Sequence, residues 1–280
     1  MILSKRKKRW SPAKVLTVLL LVVGAIVMVF PFVWMVLTSL KTFQEAIHIP
    51  ITWLPQEWMF SNYLTVLQKL NFGVYYRNTI FVTVTVLVGQ LFLCSLAGYA
   101  FARLRFPGKN LIFFLILSVL MVPPQMTLIP RYLMMDYFGW VDTFKGLIIP
   151  MIPSAYGTFF LRQFFMSLPQ ELEDSAKIDG CSYFRIYWNI MLPLCTSALV
   201  AYGILNFLAT WNDLLWPLIV TNTENMRVLS IAMASMQGQH GTQYQLLMAA
   251  SVMATIPTVC VFMIGQKHFI RGIAMTGLKA

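Results

Sequence analysis

The chain reads as an all-α integral membrane protein with six transmembrane helices and both termini in the cytoplasm. Three observations carry that reading. Of its 280 residues, 58% are hydrophobic and only 11% are charged. Six apolar stretches suit passage through a bilayer, and none of them contains Asp, Glu, Lys, Arg or His. The basic residues are divided unevenly between the segments that join those stretches.

The elements follow in order. A basic tail, 1–14, precedes a first span at 15–40, which is long enough to need tilt or an end emerging from the bilayer. It is too long, with no small-residue cleavage site, for a removable signal peptide. The segment after it carries Trp53, Trp58, Tyr63, Tyr75 and Tyr76, side chains that suit the headgroup belt. Within it, Ser61 is placed to cap a short helix over Asn62–Leu70. Spans two and three are expected at 79–102 and 110–130. The fourth, 146–161, is short and holds Pro150 and Pro153, so a bend is expected there. A polar loop, 167–191, leads to the fifth span at 192–211. The sixth, 246–266, is followed by a tail at 267–280. The runs Leu214–Val220 and Val228–Met236 are apolar but too short to cross.

Orientation follows from the positive-inside rule. The two tails, the 103–109 turn and the 162–191 loop together hold fifteen Lys and Arg, against six on the other side. This places both termini and the 167–191 loop in the cytoplasm. Net charge is +11, yet five of the 21 basic residues fall in the first nine positions and most others flank apolar spans. That pattern fits anionic headgroups rather than nucleic acid. Cys94, Cys181, Cys195 and Cys260 lack Cys or His partners at metal spacing and read as free. His48, His240 and His268 are scattered.

Residues Glu171 to Gly180, Glu-Leu-Glu-Asp-Ser-Ala-Lys-Ile-Asp-Gly, form a compact acidic segment in this apolar chain. Ser167 with Gln170 fits a capping box, and Pro169 fits the first turn. Glu171, Glu173 and Asp174 then fall near the positive end of a helix dipole. Gly180 fits the left-handed residue that ends a helix. A helix is therefore expected over Leu168–Asp179, with Leu172, Ser175, Ala176 and Asp179 on one small-centred face. Ser182 is placed to cap a second short helix, Tyr183–Ile190.

This segment, followed after nine residues by Ile190-Met191-Leu192-Pro193, resembles the EAA loop of binding-protein-dependent ABC importer permeases. The spacing matches throughout. Asp174 stands where the pattern has Glu, and Ser175 where it has the first Ala. Further stretches resemble the carbohydrate-import branch, of the maltose-permease G-subunit type. They include Pro31-Phe32-Val33-Trp34-Met35, Thr38-Ser39-Leu40-Lys41, Asn62-Tyr63, Gly98-Tyr99-Ala100-Phe101-Ala102-Arg103, Trp211-Asn212 and Gln266 to Gly272.

The resemblance implies a coupling helix that docks in a groove of a cytoplasmic ATP-binding subunit. Glu171, Asp174, Ser175, Ala176, Ile178, Asp179 and Gly180 would carry that role. It also implies the partners: a second, homologous permease, two ATP-binding subunits and an extracytoplasmic solute-binding protein, all at the bacterial inner membrane. The solute would be a carbohydrate or related polyol. The chain has no G-x-x-x-x-G-K-[ST] phosphate loop, so it is expected to bind no cofactor itself, with ATP and Mg held by a partner. It is not expected to be an enzyme. An ion-coupled carrier using backbone and hydroxyl oxygens, and a membrane enzyme or scaffold, are the competing readings of the residues alone.

The polar residues of the spans suggest a path. Tyr202, Asn206, Thr210 and Asp213 follow i, i+4, i+8, i+11 spacing and share a sector of about 80°. Tyr244, Ser251, Thr255 and Thr258 align in the sixth span, and Thr79, Thr83 and Gln90 in the second. Interhelical hydrogen bonding, about 0.6 kcal/mol per contact, is the alternative use of such stripes. The expected path is lined by Tyr202, Asn206, Thr210, Asp213 and Thr255, with Trp211 turned towards lipid or a neighbouring helix.

Overall fold

The computed structural model describes residues 12–69, 71–237 and 242–277, with residue 69 and residues 268–277 described by backbone alone. Most of the basic N-terminal tail, and His240, lie outside the described residues. In chain order the helices are α1 (Pro12–Ser39), α2 (Phe43–Ile47), α3 (Ser61–Lys69), α4 (Phe72–Arg103), α5 (Lys109–Ser118), α6 (Leu128–Tyr137), α7 (Phe144–Ile148), α8 (Ala155–Ser167), α9 (Glu171–Ile178), α10 (Tyr183–Ile186), α11 (Leu192–Leu194), α12 (Thr196–Trp211), α13 (Leu215–Val220), α14 (Leu229–Ser235) and α15 (Tyr244–Gly277). No strand forms among the described residues.

Three unbroken helices are long and apolar enough to cross a bilayer: α1, α4 and the 244–267 part of α15. Three bent pairs bring the number of candidate spans to six. The third expected span, 110–130, is one of them. Lys109–Met121 and Pro124–Tyr137 meet at 100°, so this segment is no single rod. Val122-Pro123-Pro124 explains the break, since each proline removes a donor and disfavours helix in the residue before it. Phe144–Met151 and Ala155–Ser167 meet at 41° across Pro153. Tyr183–Leu194 and Thr196–Trp211 meet at 76°, so the fifth span is straight only from Thr196 rather than from 192. Before that bend, residues Tyr187–Met191 widen into a π turn, which opens the helix where the Pro193 ring would strike a carbonyl. Helix α15 runs on to Gly277, so helix continues through most of the expected 267–280 tail.

The chain divides into two compact units. The first comprises Met1–Val66 and Gln237–Met253. In it, α1 exposes most of its side chains and buries only Thr38 and Ser39. Its 28 residues rise about 42 Å, more than the hydrocarbon core, which a tilt or an end emerging from the bilayer accommodates. The loop after it is tied to the helix end. Asn62 donates to the carbonyls of Ser39 and Lys41, both at 2.9 Å. Lys41 is fully buried, with Nζ donating to the Thr52 carbonyl and lying 4.3 Å from the Trp34 ring centre. Thr42 and Glu45 form a capping box on α2. Helix α3 starts at Ser61 itself rather than one residue after it.

The second unit comprises Leu67–Met236 and Ala254–Ala280. Its backbone of packing is α4 against α8. Val82, Val86, Gln90, Cys94 and Phe101 form a buried stripe on α4. Close approach is set by Gly98, where an added Cβ would lie 3.0 Å from the Arg162 backbone nitrogen. Two arginines lock the ends of these helices to each other. Arg162 of α8 donates to the Phe101 carbonyl at 3.1 Å, and Arg103 of α4 donates to Phe165 and Leu168 carbonyls. Each guanidinium thus satisfies carbonyls orphaned at the other helix's C-terminus. Tyr99, Leu161, Phe165, Ile186, Tyr187 and Met191 fill the core beneath them.

Candidate functional site

The acidic segment is built upward from this lock. Helix α8 ends at Ser167, whose hydroxyl donates back to the Phe164 carbonyl at 2.8 Å. Ser167 therefore closes α8 instead of capping the next helix, and the expected capping box does not form. Helix α9 is correspondingly shorter than expected, Glu171–Ile178, with Gln170 at its N-terminus making no side-chain cap. Its acidic first turn sits at the positive end of the dipole. At its far end Gly180 has φ +74°, Gly180 N donates to Lys177 O and Cys181 N donates to Ala176 O, each at 3.0 Å. This pair of bonds is a Schellman stop, and it needs the left-handed residue that glycine supplies.

The inner face of α9 is Glu173 and Ala176. Ala176 is 4% exposed and belongs to the core with Tyr99, Leu161 and Phe165. Its expected place on an outward docking face is corrected: its small size lets α9 lie close on its own chain. Glu173, 2% exposed, faces Arg103 at 3.9 Å and Lys177 at 3.1 Å. One cation thus holds the α8 C-terminus and the buried carboxylate of α9 together. The other residues from Glu171 to Gly180 are exposed, among them Glu171, Leu172, Asp174, Ser175, Ile178, Asp179 and Gly180, with Ile178 87% exposed. Beyond the stop, Ser182 accepts from Arg185 N and starts α10, and exposed Tyr183, Phe184 and Trp188 extend the apolar part of this surface.

The polar stripe of α12 opens on a cavity of about 390 Å³. Tyr202, Asn206, Thr210 and Asp213 all line it, opposite Gln90 of α4 and Tyr156 of α8. Gln90 is the hub. Its Oε1 accepts from the Tyr202 hydroxyl and from Asn206 Nδ2, the latter at 2.6 Å. Its Nε2 donates to the Met151 carbonyl, at the break between α7 and α8, at 2.6 Å. Gly157 makes room for Tyr202, since a Cβ there would fall 2.2 Å from the hydroxyl. Trp211 points to neighbouring helices, with Nε1 donating to the Ala254 carbonyl at 3.1 Å and the ring edge-on to Tyr76. Thr255 is not brought to the cavity; its carbonyl accepts from Thr258 within α15.

Comparison with known proteins decides the family. The model of the binding-protein-dependent transport system inner membrane component matches residues 90–275. The chain belongs to that family. The permease is 34% identical over 258 residues to the arabinooligosaccharides transport system permease protein AraQ of Halalkalibacterium halodurans, covering 91% of this chain and 92% of the relative. It is 33% identical over 263 residues to the sn-glycerol-3-phosphate transport system permease protein UgpE of Yersinia enterocolitica, covering 91% and 93%. Among solved structures it resembles a chain of a bacterial ABC transporter involved in the import of the acidic polysaccharide alginate. The TM-score is 0.83 at 24% identity, covering 93% of this chain and 99% of that one, and the likeness establishes the fold. The permease also resembles, at TM-score 0.65 and 13% identity, a chain of a bacterial alginate ABC transporter in complex with an alginate pentasaccharide-bound periplasmic protein, covering 89% and 92%.

Several residues of the permease that organise these sites were given no site role from sequence. Glu173 carried a local signal, the i, i+4 pairing with Lys177, but its partner Arg103 is remote in the chain. Arg131, counted above only as a basic residue outside the spans, lines the cavity together with Asp213. Asp213 lies past the end of α12. Burial pushes its carboxyl above the ordinary range, while backbone N–H groups of Trp216 and Leu215 and the Arg131 charge draw it back.

Proposed function

We propose that this permease forms half of the path by which a carbohydrate or related polyol enters the cell, driven by ATP hydrolysed in partner subunits. The observation that carries the proposal is the pairing of a cavity beside α12, into which a stripe of polar side chains opens, with a separately anchored helix, α9, whose outer face is left free. A device that transmits force needs a rigid end. The Arg103–Glu173 contact and the Schellman stop supply it, whereas a solvated loop would yield. The names of the relatives, an arabinooligosaccharide permease and a glycerol-3-phosphate permease, support the solute class.

In this reading both termini and α9 lie in the cytoplasm, and the membrane domain spans about 15–266. Glu171, Asp174, Ser175, Ile178, Asp179 and Gly180 face an ATP-binding subunit. Tyr202, Asn206, Thr210 and Asp213 face the solute. Two ATP-binding subunits, a second permease and an extracytoplasmic binding protein complete the importer. The periplasmic protein in the alginate transporter complex supports the last of these. ATP and Mg are held by the partners.

Co-expression of the permease with its neighbouring transport genes tests the proposal. An ATPase should co-purify, and its hydrolysis in nanodiscs should rise when the solute-loaded binding protein is added. A permease that purifies alone and carries solute down a sodium or proton gradient would overturn it. Cysteines at Gln170 and Asn222, in a background without native cysteines, should label from opposite sides of the membrane. Labelling of both from outside would reverse the orientation.

A further inference from the structure

The cavity holds two charges, Asp213, which the path reading places against the solute, and Arg131, which it leaves without a task. Arg131 enters from α6, and Asp213 from the turn between α12 and α13. Among the described residues no carboxylate lies within 4.0 Å of Arg131. Its Nη1 meets only the Met151 sulfur, a weak acceptor, at 3.7 Å. The guanidinium carbon sits 5.1 Å from the Trp216 ring centre. Trp216 is itself fixed, since it is 2% exposed and its Nε1 donates to the Gly146 carbonyl at 3.1 Å. A ring contact of this kind holds a guanidinium in place while leaving its N–H edge uncommitted. Asp213 is oriented by the Trp216 backbone N–H, at 3.5 Å from Oδ1. A preset donor fork and a preset carboxylate therefore line one space without closing on each other. Tyr156, 46% exposed, adds an aromatic side chain to the same lining.

We propose that Arg131, Asp213 and Tyr156 form a solute subsite within this permease that takes an uncharged ring bearing adjacent hydroxyls. The chemistry is matched group by group. The guanidinium donates to one hydroxyl oxygen, the carboxylate accepts from the neighbouring hydroxyl, and the tyrosine ring covers the C–H face. A carboxylated or phosphorylated ring satisfies Arg131 but meets the Asp213 charge, so Asp213 selects against anionic solutes. The subsite rests on the cavity being the solute path, and it gives this subunit its own part in selectivity.

The test uses the complete importer in nanodiscs, with Ala209→Cys as the reporter in a background without native cysteines, because Ala209 lines the cavity. Labelling rates are measured with an anionic and a cationic methanethiosulfonate of similar size. Arg131→Gln should raise the cation-to-anion rate ratio roughly fivefold, and Asp213→Asn should lower it roughly fivefold, from the removal of one unit charge at short range. Excess L-arabinose should slow labelling in the parent and in neither variant. Excess D-galacturonate should slow it only in Asp213→Asn. Unchanged ratios in both variants, arabinose protection absent from the parent, or equal arabinose protection in all three would overturn the subsite. Stimulation of ATP hydrolysis by the binding protein reports on the transport reading alone. If that stimulation is missing while the ratios shift and arabinose protects, the subsite stands and the ATP-driven reading falls.

Discussion

Replacing Glu173 with Ala removes the carboxylate that ties α9 to α4. Breaking a buried ion pair costs about 3–5 kcal/mol when the remaining charge is stranded. Here Arg103 keeps the Phe165 and Leu168 carbonyls as acceptors, and the Lys177 side chain is 39% exposed and rehydrates. Both features reduce the loss, and about 2–3 kcal/mol remains once the stranded cation is so compensated. The loss falls on α9 alone, because the Tyr99–Phe165–Tyr187 core beneath it is unchanged. Hydrogen exchange of the amides from Leu172 to Cys181, measured in the assembled membrane protein, reads this directly. Protection should fall about 30- to 150-fold, with ATP hydrolysis becoming less responsive to the binding protein. Glu171→Ala is the control, since Glu171 is exposed and has no salt bridge among the described residues. Its effect should stay within about 0.5 kcal/mol. Equal loss of protection in the two variants would refute the anchor.

Three further outcomes are expected. Gly180→Val should destabilise the Schellman stop by about 1–2 kcal/mol through its φ of +74° alone, because no neighbour lies within 4 Å of an added Cβ; exchange at Gly180–Cys181 checks this. Gln90→Leu should strip partners from Tyr202, Asn206 and Met151 together and lower the free energy of unfolding in detergent by about 2–5 kcal/mol from three membrane-buried bonds, read as a lower unfolding midpoint. Asp142 accepts from Asn222 N at 2.9 Å and Thr223 N at 3.0 Å; burial raises its pKa, but these donors outweigh it and leave the carboxyl below its usual range. Its contribution is therefore present above the unfolded value of about 3.9 and lost as pH falls through the lower folded value, so protection of the 221–224 amides should collapse only below about pH 4.

What the sequence could reveal depended on how far apart the interacting groups lie along it. The acidic segment stood out because charge is rare in this chain, and its Gly180 stop is a local matter of backbone conformation. The start of α9 was misplaced because Ser167 bonds equally well forwards as a cap or backwards to Phe164, and only the path of α8 decides between them. Ala176 was turned outward because smallness alone does not say which surface comes close. The stripe on α12 was legible from its period. Its partner was not, since Gln90 lies 112 and 116 residues from Tyr202 and Asn206. The 100° break at Pro123-Pro124 was written in the prolines, yet an uninterrupted apolar count runs straight across them.

One helix joins the two ends of this arrangement. Ser154 and Tyr156, at the start of α8, line the cavity, and the last carbonyls of α8 are held by Arg103, which also faces Glu173. The 13 residues of α8 rise about 20 Å between them. At that separation, stability losses from Gln90→Leu and Glu173→Ala should add within about 0.5 kcal/mol. Coupling should not add. If motion of α9 reaches the cavity through α8, then cutting the linkage at either end already disconnects the other. The double variant's binding-protein-stimulated ATP hydrolysis should then be no lower than that of the worse single variant. Multiplicative losses in stimulation, matching the additive losses in stability, would mean that the two sites communicate by routes other than α8.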